Sequence, residues 1–170
     1  MRRIARFEKV SREQFEKDFL DTFGAGSEAA CQTAWEQVSM PKRATTGSAG
    51  YDFITPVAIR LAPGESVKVP TGIRAAMEAG WVLQIYPRSG LGFKYRLQLN
   101  NTVGIVDSDY YDSDNEGHIF VKLTNDSREG KTLSLEAGSG FAQGIFVEFG
   151  ITEDDDAESV RNGGFGSTGV

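Results

Sequence analysis

Cysteine and histidine are scarce in this chain, which has one of each among its 170 residues. A single cysteine, Cys31, excludes an internal disulfide and leaves too few thiolates for a zinc cluster. Since secreted small domains are commonly stabilised by disulfides, this scarcity predicts a reducing, cytoplasmic location.

Long apolar runs and excess positive charge are missing as well. No stretch approaches the roughly 18 apolar residues of a membrane helix, and the opening "MRRIARFEKV" lacks the apolar segment of a secretion signal, so we expect none. The net charge of −6 argues against a nucleic-acid partner. A phosphorylated small molecule is compatible with this charge if local arginines, backbone N–H groups and a cation hold it.

The chain contains two kinds of sequence pattern within one predicted domain, residues 1–170. The first is helical, over residues 11–38. Ser11 and Gln14 fit a capping box, and Phe15, Phe19 and Phe23 follow at four-residue spacing on one helix face. We therefore predict a helical N-terminal insertion that packs on the outside of the remaining fold through these phenylalanines.

The second pattern begins at Tyr51 and consists of short segments rich in β-branched and aromatic residues, such as "WVLQIY", "HIFVKLT" and "GIFVEF". Glycine-rich turns separate these segments, and no helical pattern comes between them. This pattern predicts an all-β barrel or jelly roll. The acidic, then Gly/Ser-rich segment 153–170 predicts a flexible tail.

Two segments have the chemistry of a phosphate site. "PRSGLG" offers the guanidinium of Arg88, the hydroxyl of Ser89 and backbone N–H groups beside Gly90, although a plain polar turn has the same composition. Gln143 in "GSGFAQG" stands at a strand entry, where glutamine is often only structural. Asp52 interrupts an apolar strand, where it could orient an arginine, meet cation-bound waters or cap the turn.

The tail carries a third candidate, "RNGGFGSTG", in which glycines surround Phe165. Glycines let backbone approach phosphates closely, and a lone aromatic ring in such a loop suits stacking on a base. A disordered linker is the alternative that composition leaves open.

The acidic stretch "GIVDSDYYDSDNEGH" contains the fourth candidate. If it continues as a strand, Asp107 and Asp109 share one face and Tyr110 lies on the other. It lacks the spacing of a calcium-binding loop, so we predict no dedicated metal cage. We interpret Asp112 to Glu116 as a solvated turn and His118 as the first residue of the returning strand.

Together, "AGYDF", "PRSGLG", "NNTVGIVDSDY", "GFAQ" and "RNGGFGSTG" resemble, in order, the five motifs of the trimeric dUTPase (dUTP pyrophosphatase) family, over about Pro41 to Val170. The resemblance implies a jelly-roll subunit, a homotrimer with shared active sites, and hydrolysis of dUTP to dUMP and pyrophosphate with Mg²⁺. This activity limits uracil in DNA and supplies dUMP for dTMP synthesis. It also implies a tail that closes over bound nucleotide.

The resemblance assigns roles to individual residues. Asp107 is the base that activates water, Tyr110 the platform under the deoxyribose, and Asp52 an acid that meets Mg²⁺ only through water, the triphosphate holding the metal. The catalytic set is Asp107, Tyr110, Gln143 and Arg161. The substrate-binding set is Arg88, Ser89, Gly90, Asn101, Gly104, Tyr110, Phe165, Gly166, Ser167 and Thr168.

Three departures from the family pattern keep other interpretations open. Asp112 stands where the family usually has glycine, and "DSDNE", which it begins, looks like an insertion before Gly117. Arg161 comes four residues before Phe165 where five is commoner, and residues 11–38 have no counterpart in the family core. A dCTP deaminase-like relative on the same fold is one alternative. A nucleotide-sensing or partner-binding protein that uses residues 11–38 is the other.

Overall fold

The computed structural model describes residues 1–159, which form a mostly-β fold with a few helices. The strands are β1 Ala5–Lys9, β2 Lys42–Arg43, β3 Tyr51–Ile54, β4 Ile59–Leu61, β5 Ser66–Pro70, β6 Ile73–Met77, β7 Trp81–Pro87, β8 Leu97–Leu99, β9 Gly104–Val106, β10 Phe120–Asn125, β11 Leu133–Leu135 and β12 Gly140–Glu148. The helices are α1 Arg12–Phe23, α2 Glu28–Gln37, α3 Ser89–Tyr95 and a 3₁₀ helix, Ser108–Asp112. The dominance of strands that the sequence predicted is confirmed, but α3 and the 3₁₀ helix lie between strands where no helical pattern was predicted.

Four antiparallel sheets organise these strands. The largest has the order β2-β3-β12-β7-β9, and the others are β5-β10-β8, β1-β6 and β11-β4. In the largest sheet β12 is central, and Gln143 lies opposite Asp52 of β3 on one side and Tyr86 of β7 on the other. Strands that are distant in sequence therefore bring polar side chains to one place.

The core follows the alternation expected of strands with one buried face. In β10, Val121, Leu123 and Asn125 are buried, whereas Lys122 between them is exposed. The one polar member is satisfied, because the Asn125 side chain donates to the backbone carbonyls of Leu61 and Lys131, both at 2.9 Å. Buried polar groups without such bonds would destabilise the fold.

Helices α1 and α2 lie between β1 and β2, within the range 11–38 predicted to be helical. Ser11 caps α1 as predicted, accepting from the Gln14 backbone N–H at 3.1 Å. Phe15 and Phe19 are fully buried, but Phe23 at the end of the helix is 40% exposed. The predicted apolar face therefore packs through its first two phenylalanines, and the third lies at its margin, in ring contact with Phe19.

The acidic stretch folds differently from its prediction. The chain leaves β9 at Val106 and enters the 3₁₀ helix, so Asp107 and Asp109 do not share a strand face. The returning strand begins at Phe120, and His118 precedes it as a fully buried loop residue. Asp112 and Asp114 are exposed, but Ser113 is buried and Glu116 bonds to Ser11, so the interpretation as a solvated turn was wrong for these two residues.

None of the helices formed by residues 1–159 is both long and apolar enough to cross a membrane.

Candidate active site

One open cavity, about 530 Å³ in volume, lies beside the turn that joins β8 to β9. Asn101 at the exposed tip of this turn and Gly104 at the start of β9 both line it. A Cβ on Gly104 would stand 3.1 Å from the Cβ of Ile85, so glycine keeps the two strands close. Two residues predicted to bind substrate thus meet here.

Asp107 and Tyr110 lie at the exit of β9. Asp107 is the N-cap residue of the 3₁₀ helix, and its carbonyl oxygen accepts from the Tyr110 backbone N–H at 3.2 Å. Asp107 has extended backbone angles, with φ −78° and ψ 159°, so it stands immediately before the helix, and one hydrogen-bonded turn separates it from Tyr110. This relation replaces the opposite-face arrangement that a strand would have produced.

The Tyr110 side chain is buried, with only 4% of the residue exposed. Its hydroxyl donates to the His118 carbonyl at 2.7 Å and accepts from the Asn115 side-chain amide at 2.8 Å. Asn115 itself lines the 530 Å³ cavity. The segment between the 3₁₀ helix and β10, residues 113–119, which we call the inserted loop, therefore joins the tyrosine to the cavity wall.

A second cavity, about 340 Å³, collects the residues predicted for the triphosphate, which are Arg88, Ser89, Gly90 and Gln143, together with Asp52, which was predicted to meet Mg²⁺ through water. Arg88 Nε lies 3.1 Å from Asp52 Oδ1, and its Nη1 donates to the Gly140 carbonyl at 3.3 Å. Of the alternatives left open for Asp52, orientation of an arginine is the one that the geometry matches.

The "PRSGLG" segment begins a helix rather than a simple polar turn. Arg88 is the N-cap residue of α3, and Ser89 and Gly90 form its first turn. The first N–H groups of a helix lack partners within the helix and can donate to an anion. Gln143, on the neighbouring strand, donates to the Pro87 carbonyl at 3.2 Å and so packs against the entry to this turn.

The two cavities share no lining residue among residues 1–159. The chain therefore places Asn101 and Gly104 at one cavity and Asp52, Arg88, Ser89, Gly90 and Gln143 at the other, whereas Asp107 and Tyr110 line neither of these two cavities. The remaining predicted residues, Arg161, Phe165, Gly166, Ser167 and Thr168, lie outside the described residues.

Pattern reading missed the part of the first cavity formed by α1 and the inserted loop. Asp18 and Asp21 of α1 line this cavity together with Asn115, Lys68 and Phe120. Lys68 Nζ lies 4.6 Å from the centre of the Phe120 ring. The polar face of α1 was the one feature of the sequence that could have indicated this wall. The contacts themselves join segments about a hundred residues apart, and such contacts leave no local sequence pattern.

Whether the chain could hold Mg²⁺ depends on the acidic residues at the 340 Å³ cavity, which we call the phosphate-side cavity. Within the part of the chain that the structure describes, no three His, Cys, Asp or Glu residues group in a way that could hold a metal ion. Asp52 is the acid that lines this cavity, and it is already paired with Arg88. These residues suit a cation that arrives on a polyphosphate better than a resident one.

Comparison with solved structures gives the class of the fold. The crystal structure of dUTPase from Streptococcus mutans superimposes with a TM-score of 0.63 and 34% identity, covering 86% of this chain and 98% of that one. The dUTPase from phage phi11 of S. aureus, with a species-specific insert, has a TM-score of 0.64 and 19% identity, covering 92% and 97%. The mostly-β fold is thus that of dUTPases.

Sequence comparison then gives the family. The dUTPase family model matches residues 36–169. The deoxyuridine 5'-triphosphate nucleotidohydrolase of Lactococcus lactis subsp. lactis is 43% identical over 136 residues, 78% of this chain and 89% of that protein. The Escherichia coli K12 protein of the same name is 37% identical over 142 residues, 79% and 89%. The chain belongs to the dUTPase family, as the five motifs predicted.

Proposed function

We propose that the chain hydrolyses dUTP to dUMP and pyrophosphate, which limits uracil in DNA and supplies dUMP for dTMP synthesis. Membership of the dUTPase family carries this proposal. The deaminase-like alternative is not favoured, because curated relatives of the chain are named deoxyuridine 5'-triphosphate nucleotidohydrolase. If the chain were a nucleotide sensor instead, the residues of the catalytic motifs would have to bind the nucleotide without hydrolysing it.

Asp107 activates the attacking water in this proposal. The water oxygen bonds to the α-phosphorus, the bond from that phosphorus to the α,β-bridging oxygen breaks, and the water proton passes to the Asp107 carboxylate. The position of Asp107, as N-cap at the exit of β9 and one 3₁₀ turn from Tyr110, supports this role. A fixed acid lowers the barrier chiefly by orientation and proton transfer.

Uracil and deoxyribose occupy the 530 Å³ cavity. We assign uracil recognition to Asn101 and the backbone at Gly104, and contact with the deoxyribose to Tyr110. A site shaped by backbone rejects the methyl group of thymine by steric conflict, and a tyrosine packed under the sugar leaves no room for a 2'-hydroxyl.

The triphosphate occupies the 340 Å³ cavity, with Arg88, Ser89 and Gly90 as donors and Gln143 near the α-phosphate. Mg²⁺ on the triphosphate neutralises charge, and Asp52 meets the metal only through water. The ion pair between Asp52 and Arg88 holds the guanidinium at the cavity, which supports this assignment. Stabilisation of charge by groups already in place is the main requirement of phosphoryl transfer.

The working enzyme in this proposal is a cytoplasmic homotrimer of jelly-roll subunits, each a single domain. The two cavities of one chain support it, because they share no lining residue and would let one subunit supply the nucleoside-binding residues and another the phosphate-binding residues of a single site. The tail, 153–170, would close over the nucleotide and bring Arg161, Phe165, Gly166, Ser167 and Thr168 to it. A closing tail excludes water and completes the site.

A substrate panel tests the proposal. Purified protein with Mg²⁺ is given dUTP, dTTP, dCTP and UTP, and release of pyrophosphate and ammonia is measured. We expect pyrophosphate from dUTP at a kcat/KM far above that for the other three. Ammonia from dCTP would instead support the deaminase, and nucleotide binding without any product would support the sensor.

A further inference from the structure

The Tyr110 hydroxyl is held by two residues of the inserted loop. It donates to the His118 carbonyl at 2.7 Å and accepts from Asn115 Nδ2 at 2.8 Å, and Asn115 Oδ1 in turn accepts from the Gly117 backbone N–H at 3.2 Å. Since a hydroxyl has one proton to donate, both partners together fix its direction. The ring position therefore depends on where the loop lies.

His118 is fully buried, and its surroundings fix its tautomer. The Gly72 backbone N–H donates to Nε2 at 2.8 Å, so this nitrogen must carry a lone pair. The proton of the neutral ring consequently sits on Nδ1, which donates to Asp18 Oδ2 at 2.6 Å.

Asp18 belongs to α1, so this bond ties the helical insertion to the loop that holds Tyr110. The Asp18 side chain is only 14% exposed, and Oδ2 also accepts from the Gln14 side chain at 2.9 Å. A buried N–H that loses a charged acceptor is costly. Removal of the Asp18 carboxylate would therefore force His118 to reorient, and its carbonyl oxygen would move with it.

The loop has little freedom to absorb such a shift. Gly117 has a φ of +68°, and a Cβ there would stand 2.7 Å from the Tyr110 carbonyl oxygen and from Tyr111 Cα. The loop thus lies directly on the 3₁₀ helix that carries Tyr110. Close packing of this kind transmits displacement rather than absorbing it.

We infer that Asp18, His118 and Asn115 are positioning residues that hold Tyr110 in place, so that the helical insertion contributes to the choice of deoxyribose over ribose. This inference rests on the proposed hydrolysis of dUTP. The ligand class concerned is the sugar of a pyrimidine nucleoside triphosphate, and the discriminating contact is made by Tyr110.

The test compares kcat/KM for dUTP and UTP in matched variants. Asp18→Ala is expected to lower the dUTP/UTP ratio about tenfold, the scale of one lost hydrogen bond with a charged partner. Asp18→Asn keeps an acceptor oxygen for His118 and should retain a ratio near that of the unsubstituted chain. Glu16→Ala, an exposed acid-to-alanine change on the same helix, should leave the ratio unchanged.

Two further variants cover poor folding of Asp18→Ala and direct contact of Asp18 with substrate. Asn115→Asp keeps the acceptor for Gly117 but removes the donor to Tyr110, and should also lower the ratio. In a Tyr110→Phe background, Asp18→Ala should have no further effect on the ratio.

An unchanged ratio in folded Asp18→Ala or in Asn115→Asp would overturn the inference while leaving dUTP hydrolysis intact. A full Asp18→Ala effect in the Tyr110→Phe background would overturn it as well. Failure of the unsubstituted chain to hydrolyse dUTP would overturn the proposed function, and the inference that depends on it.

Discussion

Two glycines give the phosphate-side cavity its shape at the scale of single residues. A Cβ on Gly140 would stand 2.6 Å from Arg88 Nη1, and a Cβ on Gly50 would stand 2.7 Å from Gln143 Oε1. Both distances are shorter than any normal contact, so each glycine makes room for the end of a polar side chain. Arg88 can therefore lie against Asp52 at the cavity wall.

Gly140→Ala should weaken substrate binding without unfolding the protein. The guanidinium can swing aside, so we expect the free energy of unfolding to fall by less than about 1.5 kcal/mol. Because the Arg88 guanidinium is displaced from its position beside Asp52, KM for dUTP should rise about tenfold. Steady-state kinetics and urea unfolding measure the two effects. Gly150→Ala, where a Cβ meets nothing within 4 Å, is the control, and equal KM values in the two variants would contradict this role of Gly140.

Asp107→Asn should remove turnover and keep binding. The amide has the size of the carboxylate but cannot take the proton of water, so kcat should fall by about 100- to 10,000-fold. Titration calorimetry with a non-hydrolysable dUTP analogue should give a Kd close to that of the unsubstituted chain. Asp109→Asn, on the exposed neighbour, serves as the control. Loss of affinity equal to the loss of kcat would show that Asp107 binds substrate rather than activating water.

Individual site residues differed in how far sequence could predict them. The roles of Asp107 and Tyr110 could be proposed because both stand in a motif that resembles the family's, although the strand predicted there would have put them on opposite faces. The partners of Tyr110 are different, because Asn115 and His118 belong to an insertion that no motif describes. Their importance arises from buried hydrogen bonds, and a contact such as His118 to Asp18 spans a hundred positions.

At the scale of elements, two of the three departures from the family pattern, residues 11–38 and the acidic loop, form one structural unit. Ser11 donates to Glu116 from its backbone N–H at 2.7 Å and from its hydroxyl at 2.6 Å. Gln14, predicted to complete the capping box, instead bonds to Asp18. A residue of the acidic loop thus completes the N-terminal cap of α1. Sequence alone predicted the helix and the loop, but it could not show that one caps the other.

This cap predicts an acid-sensitive attachment. The bonds from the Ser11 hydroxyl, and then from its backbone N–H, lower the pKa of Glu116 from its usual value near 4.5. A carboxyl whose pKa is lowered by folding contributes stability at pH values above its usual pKa, and this contribution is lost as pH falls through the lowered value.

Asp18 acts in the same direction. Burial opposes its ionisation, but the hydrogen bonds from His118 and Gln14 outweigh burial and lower its pKa from the usual 3.8. We therefore expect the free energy of unfolding to fall as pH drops below 4.5, and to fall less steeply in Glu116→Gln. Urea unfolding across a pH series measures this. The control Glu153→Gln, at an exposed residue, should show the same pH dependence of the free energy of unfolding as the unsubstituted chain. If Glu116→Gln also showed that pH dependence, the result would be evidence against the cap.

The packing of α1 gives a second prediction at this scale. Phe19 is 2% exposed and Phe23 is 40% exposed, one helical turn apart on the same face. Phe19→Ala should lower the free energy of unfolding by about 3–5 kcal/mol, as for other buried phenylalanines. Phe23→Ala should cost about 1 kcal/mol or less. Chemical unfolding provides both values, and similar small losses would mean that the insertion is not part of the core.

At the scale of the whole molecule, the separation of the two cavities is the feature to explain. The nucleoside-side and phosphate-side residues come from alternating stretches of the chain, yet one subunit keeps them apart. The order of the motifs could be predicted from the sequence, because each motif is local. Their division between cavities could not, since it depends on which strands pair.

Mixed assemblies test whether the two cavities of different subunits form one site. Asp107→Asn chains and Arg88→Ala chains are each expected to be nearly inactive alone. If one subunit supplies Asp107 and another supplies Arg88, random assembly of equal amounts gives about a quarter of sites with both residues intact, because each is drawn independently with even odds. Unfolding the two together, refolding them and measuring pyrophosphate release should then recover about that fraction of the activity.

The matched control mixes Asp107→Asn with Asn101→Ala. Asn101 and Val106, the residue before Asp107, line the same cavity of one subunit, so every nucleoside-side half-site in that mixture carries one of the two changes. Activity should stay at the average of the two parent variants. Recovery in this control as large as in the first mixture would mean that Asn101 and Asp107 reach one site from different subunits. No recovery in the first mixture would mean that Asp107 and Arg88 of the same subunit act in one site. Sedimentation of each mixture, compared with that of the unsubstituted protein, checks that the same assembly has formed before the activities are compared.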